Sequence, residues 1–326
     1  MPHITFVHGI SNKPPPEPLH ALWLRALAHE DGIDCATEGI TSSMVYWADV
    51  MYPSPEPEAK PEESGVDLLE AGREAIPFEV PGAEGWRQNL SDNERAFVDS
   101  LGERLGTDLP LEAAAAAANK EAVGAAPRMT AKEMEAVAVL ERIPLPWFIK
   151  RPLMKLLLRD VHHYLFDTNH SPRPGTSYKV RTEIRNRFLH AANSAPRDAK
   201  PHIVISHSMG TVVGYDCLKR VPQCPAVDAL ITIGSPLGLD EIQDKMSPEW
   251  SRKEGFPAKV SGPWINVYDA KDPVAGFDPK FANDYQRGGQ KVVEDIREDN
   301  WGQWRHSITK YLKGPVLRRR VREILG

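Results

Sequence analysis

The stretch "HIVISHSMGTVVGYDCL", residues 202–218, joins a β-branched run to an apolar helical pattern through a turn of small residues, with Ser208 at its pivot. His202-Ile203-Val204-Ile205 is short and follows the polar, proline-bearing "APRDAKP", so it reads as a buried parallel strand. Beyond the turn, Val212, Val213, Tyr215, Cys217 and Leu218 supply apolar positions, and Gly210 and Gly214 stand four apart. Each helix glycine costs about 1 kcal/mol relative to alanine, so the pair asks for a packing reason: a helix lying close on a sheet. Between the halves, Ser206-His207-Ser208-Met209-Gly210 is G-x-S-x-G with serine in the first place. Such an elbow needs small residues two before and two after its serine, because the strand-to-helix turn is sharp and strained. Ser208 is therefore a candidate nucleophile. The plainer alternative is a buried strand joined to its next helix.

A nucleophilic serine needs a base, and the base an orienting acid. Downstream, "ALITIGSPLG" (229–238) carries one apolar strand and "WINVYDAKDPVAG" (264–276) another, the latter ending in a turn with Asp269, Asp272 and Pro273. Only His306, in "WRHSITKYL", lies beyond Ser208 as a histidine. It is the candidate base; otherwise it is a surface residue at a helix start. Asp272 is the preferred acid, with Asp269 holding the turn through its side chain. Asp240 and Asp278 are more remote candidates.

An acyl-transfer site also needs amide donors for the developing oxyanion. One is the N–H of the residue after the nucleophile, Met209; the other belongs to the loop after an early strand. The chain opens "HITFVHGIS", a strand running directly into His8-Gly9-Ile10, which makes the Ile10 N–H the second candidate and His8 a structural residue. Removing one such donor typically costs about 3–4 kcal/mol of transition-state stabilisation.

Taken together, "FVHGI", "HSMGTVVGYDCL", "GSP", "NVYDAKDPVA" and "HSITKYL" resemble the serine-hydrolase branch of the α/β-hydrolase superfamily, its lipase-like and GPI-inositol-deacylase-like members in particular. The resemblance covers residues 1–50 and roughly 155–312. It implies a mainly parallel sheet of five or six strands flanked by helices; the short start of the chain departs from the family, whose opening antiparallel strands are expected to be absent here. It also implies a Ser208, Asp272, His306 triad with Ile10 and Met209 as oxyanion donors, ester or amide hydrolysis, and no cofactor. Carboxylic esters are preferred, since they need less leaving-group assistance than amides. An amidase, peptidase or acyltransferase on the same triad is the nearest rival, and a non-catalytic binding protein on the same fold is another.

Between the matching segments, "YPSPEPEAKPEESG" (52–65) reads as an exposed linker. "NERAFVDSLGERL" and "AKEMEAVAVLERI" read as helices, and "LEAAAAAANKEA" as low-complexity helix. Residues 53–150 are thus expected to form a helical cap inserted into a core made of 1–52 and 151–326. In "IPLPWFIKRPLMKLLLRDVHHYLFD" (143–167), Pro144, Pro146 and Pro152 are expected to break the helix and set Trp147-Phe148 on a turn. That pair either packs on the sheet or walls an acyl pocket. Trp147, Phe148 and His207 are the candidate substrate contacts. His163, Asp167 and His170 have a ligand-like spacing, but the helix is expected to end near Asp167, and no metal is assigned. The basic run "LRRRVREIL" (317–325) reads as a solvated helix face, with contact to an anionic membrane as the alternative.

With 326 residues, 41% hydrophobic and 26% charged, the chain is long enough for a large core. Its net charge of −5 argues against general affinity for nucleic acid. Three scattered cysteines make neither a disulfide framework nor a zinc spacing. A first strand at His3 leaves no room for a signal peptide, and no apolar run is of membrane-spanning length, so a cytoplasmic enzyme acting on a small or lipid-like ester is expected.

Overall fold

The computed structural model describes residues 1–59, 61–64, 85–108, 130–145, 147–246 and 252–326. Its centre is a six-stranded sheet made of β1 (His3–Val7), β2 (Thr41–Val45), β3 (His202–His207), β4 (Ala229–Ile233), β5 (Trp264–Tyr268) and β6 (Val293–Arg297). The order is β6-β5-β4-β3-β1-β2, and every pairing is parallel. From β1 the chain steps out to β2, then returns to the other side of β1 for β3. A reversal of this kind opens a crevice at the carboxyl ends of the two strands it separates. Val7 pairs with Ser206, so the loops beginning at His8 and at Ser208 leave the sheet side by side.

Both faces of the sheet are covered, which is why its strands read as apolar runs. Ile203 and Ile205, with Ile4, Phe6, Ile231 and Ile265, pack against α1 (Pro16–Leu27), α7 (Ile308–Lys313) and α8 (Pro315–Leu325). Val204, Leu230 and Trp264 point the other way. They join the cluster built by α4 (Trp147–Phe166), α5 (Val180–Asn193) and α6 (Met209–Arg220).

The helices α2 (Asp92–Leu105) and α3 (Ala131–Arg142) each start on a capping box, Ser91 with Glu94 and Thr130 with Glu133. Their buried residues Val98, Leu101, Val139 and Leu140 belong to the same cluster as α4 and α6. The described part of 53–150 therefore extends one face of the core. A second tie is buried: Lys13 Nζ lies 2.7 Å from Glu63 Oε1, and Trp23 Nε1 donates to Glu63 Oε2 at 2.9 Å. The alanine-rich "LEAAAAAANKEA" lies outside the described residues.

Two expectations need correction. Pro152 does not break the helix; it sits inside α4. An interior proline costs about 3 kcal/mol. Leu153, Met154, Leu156, Leu157, Leu158 and Val161 are all buried, and each contributes about 1.5–3 kcal/mol, so burial outweighs the lost hydrogen bond. The basic face of α8 is likewise not simply solvated. Arg318 donates to the His29 carbonyl, Arg322 to the Gly32 carbonyl and Glu38, and Arg320 pairs with Glu294, while Leu317 and Val321 are buried. These arginines clamp α8 to the turn before β2 and to β6. No helix among the described residues is long and apolar enough to cross a membrane.

Candidate active site

Ser208 stands between β3 and α6 with φ 54° and ψ −131°, a backbone conformation that L-residues rarely adopt. Its amide donates to the Ile233 carbonyl at 2.9 Å, and its carbonyl accepts from the Thr211 amide and hydroxyl at 3.0 and 2.7 Å. The turn is thereby held from both sides. Close packing explains the small residues around it. A Cβ on Gly9 would fall 2.6 Å from Ser208 Cβ, and one on Gly210 would fall 2.4 Å from the His8 carbonyl oxygen. The serine that replaces the motif's first glycine, Ser206, is buried and donates to the Ile231 carbonyl at 3.2 Å, so its hydroxyl is satisfied within the sheet.

His306 and Asp272 meet. The His306 Nδ1 lies 2.8 and 2.9 Å from the two carboxylate oxygens of Asp272, and both side chains are buried. Asp272 sits in the loop after β5, where its Oδ1 also accepts the Val274 and Ala275 amides at 2.7 and 3.1 Å. The Tyr311 hydroxyl donates to its Oδ2 at 2.8 Å. A carboxylate held by so many donors has one orientation. Because Asp272 accepts, the imidazole carries its proton on Nδ1 and presents Nε2 as the lone-pair nitrogen. Both His306 Nε2 and Ser208 Oγ are buried without a hydrogen-bond partner among the described residues. The Nδ1 of His207, next in the chain to Ser208, is likewise buried without one.

Asp269 has different work. It accepts the Lys271 and Asn300 amides, both at 2.7 Å, and pairs with Arg305 at 3.1 Å. These contacts fold the turn after β5 and anchor the segment leading to His306. Burial pushes its carboxyl up, against the pull of those donors.

His207, expected among the substrate contacts, is buried below His306. Its ring lies 4.6 Å from the His306 ring, and its Nε2–H donates to the His306 carbonyl at 3.0 Å. Burial foremost, and the nearby His306 and Lys13, hold its pKa well below the usual value. It is a neutral support for the His306 backbone. The side chains of Trp147 and Phe148, at the start of α4, lie outside the described residues.

On the other side of Ser208, Met209 opens α6, so its N–H is one of the donors without an intrahelical acceptor. The loop after β1 is set by His8. Trp47 N–H donates to His8 Nε2 at 2.9 Å, leaving Nδ1 as the protonated nitrogen, 2.9 Å from the Gly9 carbonyl. In a trans peptide the carbonyl and the following N–H point opposite ways, so this bond turns the Ile10 N–H away from the His8 ring. Ile10 and Met209 belong to one buried cluster with Val139, Leu140 and Ile143 of α3 and the turn after it. Helix α3 also reaches the Asp272 loop: Val139 Cγ1 is 4.0 Å from where a Gly276 Cβ would stand. Of the group with ligand-like spacing, His163 bonds to Thr168 at 2.5 Å and His170 to the Met51 carbonyl at 3.1 Å, while Asp167 accepts from Thr182 at 2.9 Å.

Gly234 stands after β4 in the "GSP" that forms part of the resemblance, but its place against Asp272 and His306 is not legible in the sequence. Its φ is +56°, and a Cβ there would stand 2.9 Å from Asp272 Oδ2 and 3.1 Å from His306 Nδ1. Gly234→Ala adds backbone strain of about 1–2 kcal/mol and pushes Asp272 and His306 apart. Its kcat/KM is expected to fall about 100-fold, far more than a modest drop in melting temperature accounts for. Parallel melting and rate measurements check this; loss of stability with unchanged rate would separate Gly234 from the pair.

No family model matches the chain, and no curated protein matches it. Among solved structures, an uncharacterized protein from Pseudomonas aeruginosa is similar over 92% of this chain and 40% of its own length, with 11% identity and a TM-score of 0.28. The chain thus spans less than half the length of that protein.

Proposed function

We propose that the protein is a serine hydrolase of the α/β-hydrolase type that cleaves carboxylic esters. The observation that carries this reading is the buried His306–Asp272 pair, its Nε2 unpartnered, beside a strained elbow whose Ser208 hydroxyl is also unpartnered. The order Ser208, Asp272, His306 along the chain fits that fold, as does the elbow's position beside the reversal in strand order.

Ser208 Oγ attacks the acyl carbon while its proton passes to His306 Nε2. Asp272 keeps the imidazole in the tautomer that can accept it and stabilises the imidazolium. The Ile10 and Met209 amides receive the oxyanion. His306 then protonates the departing alkoxide, and water repeats the sequence on the acyl-enzyme.

A fluorophosphonate probe and a panel of p-nitrophenyl esters of graded chain length test the reading. Wild type labels at Ser208 and turns over esters; Ser208→Ala does neither. Unlabelled wild type with no turnover on any ester would favour a binding protein on the same fold. Trp147→Ala and Phe148→Ala keep labelling but shift chain-length preference, by about 1–3 kcal/mol for each methylene the aromatic no longer covers. If the ester profile holds and only the melting temperature moves, the two aromatics are packing residues.

A further inference from the structure

Tyr311 is buried in α7, the helix that follows His306, and its hydroxyl makes two bonds. It donates to Asp272 Oδ2 at 2.8 Å and accepts the Asp269 amide at 2.8 Å. One phenol oxygen therefore joins the acid of the site to the turn that carries it. The main-chain donors Val274 and Ala275 act on Asp272 Oδ1 and Tyr311 on Oδ2, while the His306 Nδ1 lies 2.8 and 2.9 Å from the two oxygens.

We infer that Tyr311 is a positioning residue for the reaction: by donating to Asp272 it sets how strongly that carboxylate engages the His306 ring, and so where the acid limb of the pH–rate profile falls. The inference rests on the triad proposed above. A carboxylate that accepts an additional hydrogen bond has less negative charge to offer its other partner. Removing the phenol hydroxyl leaves Asp272 holding the imidazolium more tightly. The acid limb of the rate profile then moves up.

The other ionisable groups around the pair have partners of their own. From β3, His207 donates to the His306 carbonyl. From the same loop and the segment before His306, Asp269 and Arg305 bond to each other. Lys13, from the loop after β1, pairs with Glu63. Burial, and then the adjacent Asp272, hold the Tyr311 phenol well above its usual pKa, so it remains a donor throughout the working range.

The test is the rate of fluorophosphonate labelling between about pH 5 and about pH 9, measured on wild type and Tyr311→Phe. The acid limb of Tyr311→Phe is expected to rise by about half a unit, with labelling at the plateau less affected than labelling below it. A more acidic phenol, 3-fluorotyrosine placed at position 311, keeps the ring and moves the limb downward; it serves if Tyr311→Phe does not fold. A rate lowered equally at every pH, or a limb that stays put in both variants, overturns the inference and leaves Tyr311 as a clamp on the turn. Wild type that fails to label at any pH overturns the hydrolase reading itself, a result distinct from a limb that does not move.

Discussion

Alanine at Ser208 or at His306 is expected to lower kcat about 10⁵–10⁶-fold, and the double variant to lose little beyond the worse single. Ser208 Oγ and His306 Nε2 are both buried without a partner among the described residues, and in the proposed mechanism the proton on the first is useful only if the second takes it. Residues that share one step cannot be lost twice. Losses that multiply in the double variant would show that the two act in separate steps. Stability gives an independent reading. Ser208 has a Cβ at φ 54°, where glycine is favoured, and that Cβ crowds the position a Gly9 side chain would take. Ser208→Gly should therefore be inactive yet more stable than Ser208→Ala, by about 1 kcal/mol. A strained residue that is stabilised by its own removal is one retained for chemistry. If Ser208→Gly melts below Ser208→Ala, the strain argument fails.

Much of this site can be read locally, because the chemistry demands local patterns. The elbow must be strand, small-residue turn and helix in sequence, and "HIVISHSMGTVVG" is that. For the proposed triad, His306 is the one downstream histidine the sequence offers as base. Whatever depends on approach in space cannot be read in this way. Gly234 looks like any glycine after a strand until Asp272 and His306 come within reach of its missing Cβ. Tyr311 sits in an amphipathic helix and reads as core until its hydroxyl meets Asp272. His207, beside the nucleophile in sequence, points under the sheet's end because strand alternation sends it to the face of Ile203 and Ile205, against Trp23. Strand β6, "VEDIR", is hidden for another reason. An edge strand keeps one side in water, and its charges mask the pattern. Pro152 misleads because a local penalty is set against burial that only the assembled fold supplies.

The choice between the two aspartates is where local reading and geometry can be set against each other. Asp272→Asn is expected to retain the fold and lose about 10³–10⁴-fold in kcat. The Val274 and Ala275 amides keep the Asn carbonyl at the Oδ1 position, so its NH2 group takes the place of Oδ2. There it meets the Tyr311 hydroxyl donor against donor, and it leaves the His306 Nδ1–H one neutral acceptor at the Oδ1 position in place of two carboxylate oxygens. A neutral amide holds the Nδ1–H tautomer less firmly and carries no charge to stabilise an imidazolium, so in the proposed mechanism His306 becomes a poorer acceptor for the Ser208 proton. Asp269→Asn should act on stability instead. Its carbonyl can still accept one amide, so the loss is about 1–2 kcal/mol, with turnover largely kept. The pH dependence has a definite sign. Burial raises the Asp269 carboxyl, so its contribution is full below the ordinary carboxylate pKa and is lost as pH rises through the raised value. Asp269→Asn lacks that titration, and the stability gap between it and wild type should narrow as pH rises from about 4 towards neutral. Melting curves across that range, with kcat measured on both variants, decide the matter. If Asp269→Asn abolished turnover while Asp272→Asn stayed active, the two carboxylates would have to exchange roles, and the His306–Asp272 contact would be a structural bond alone.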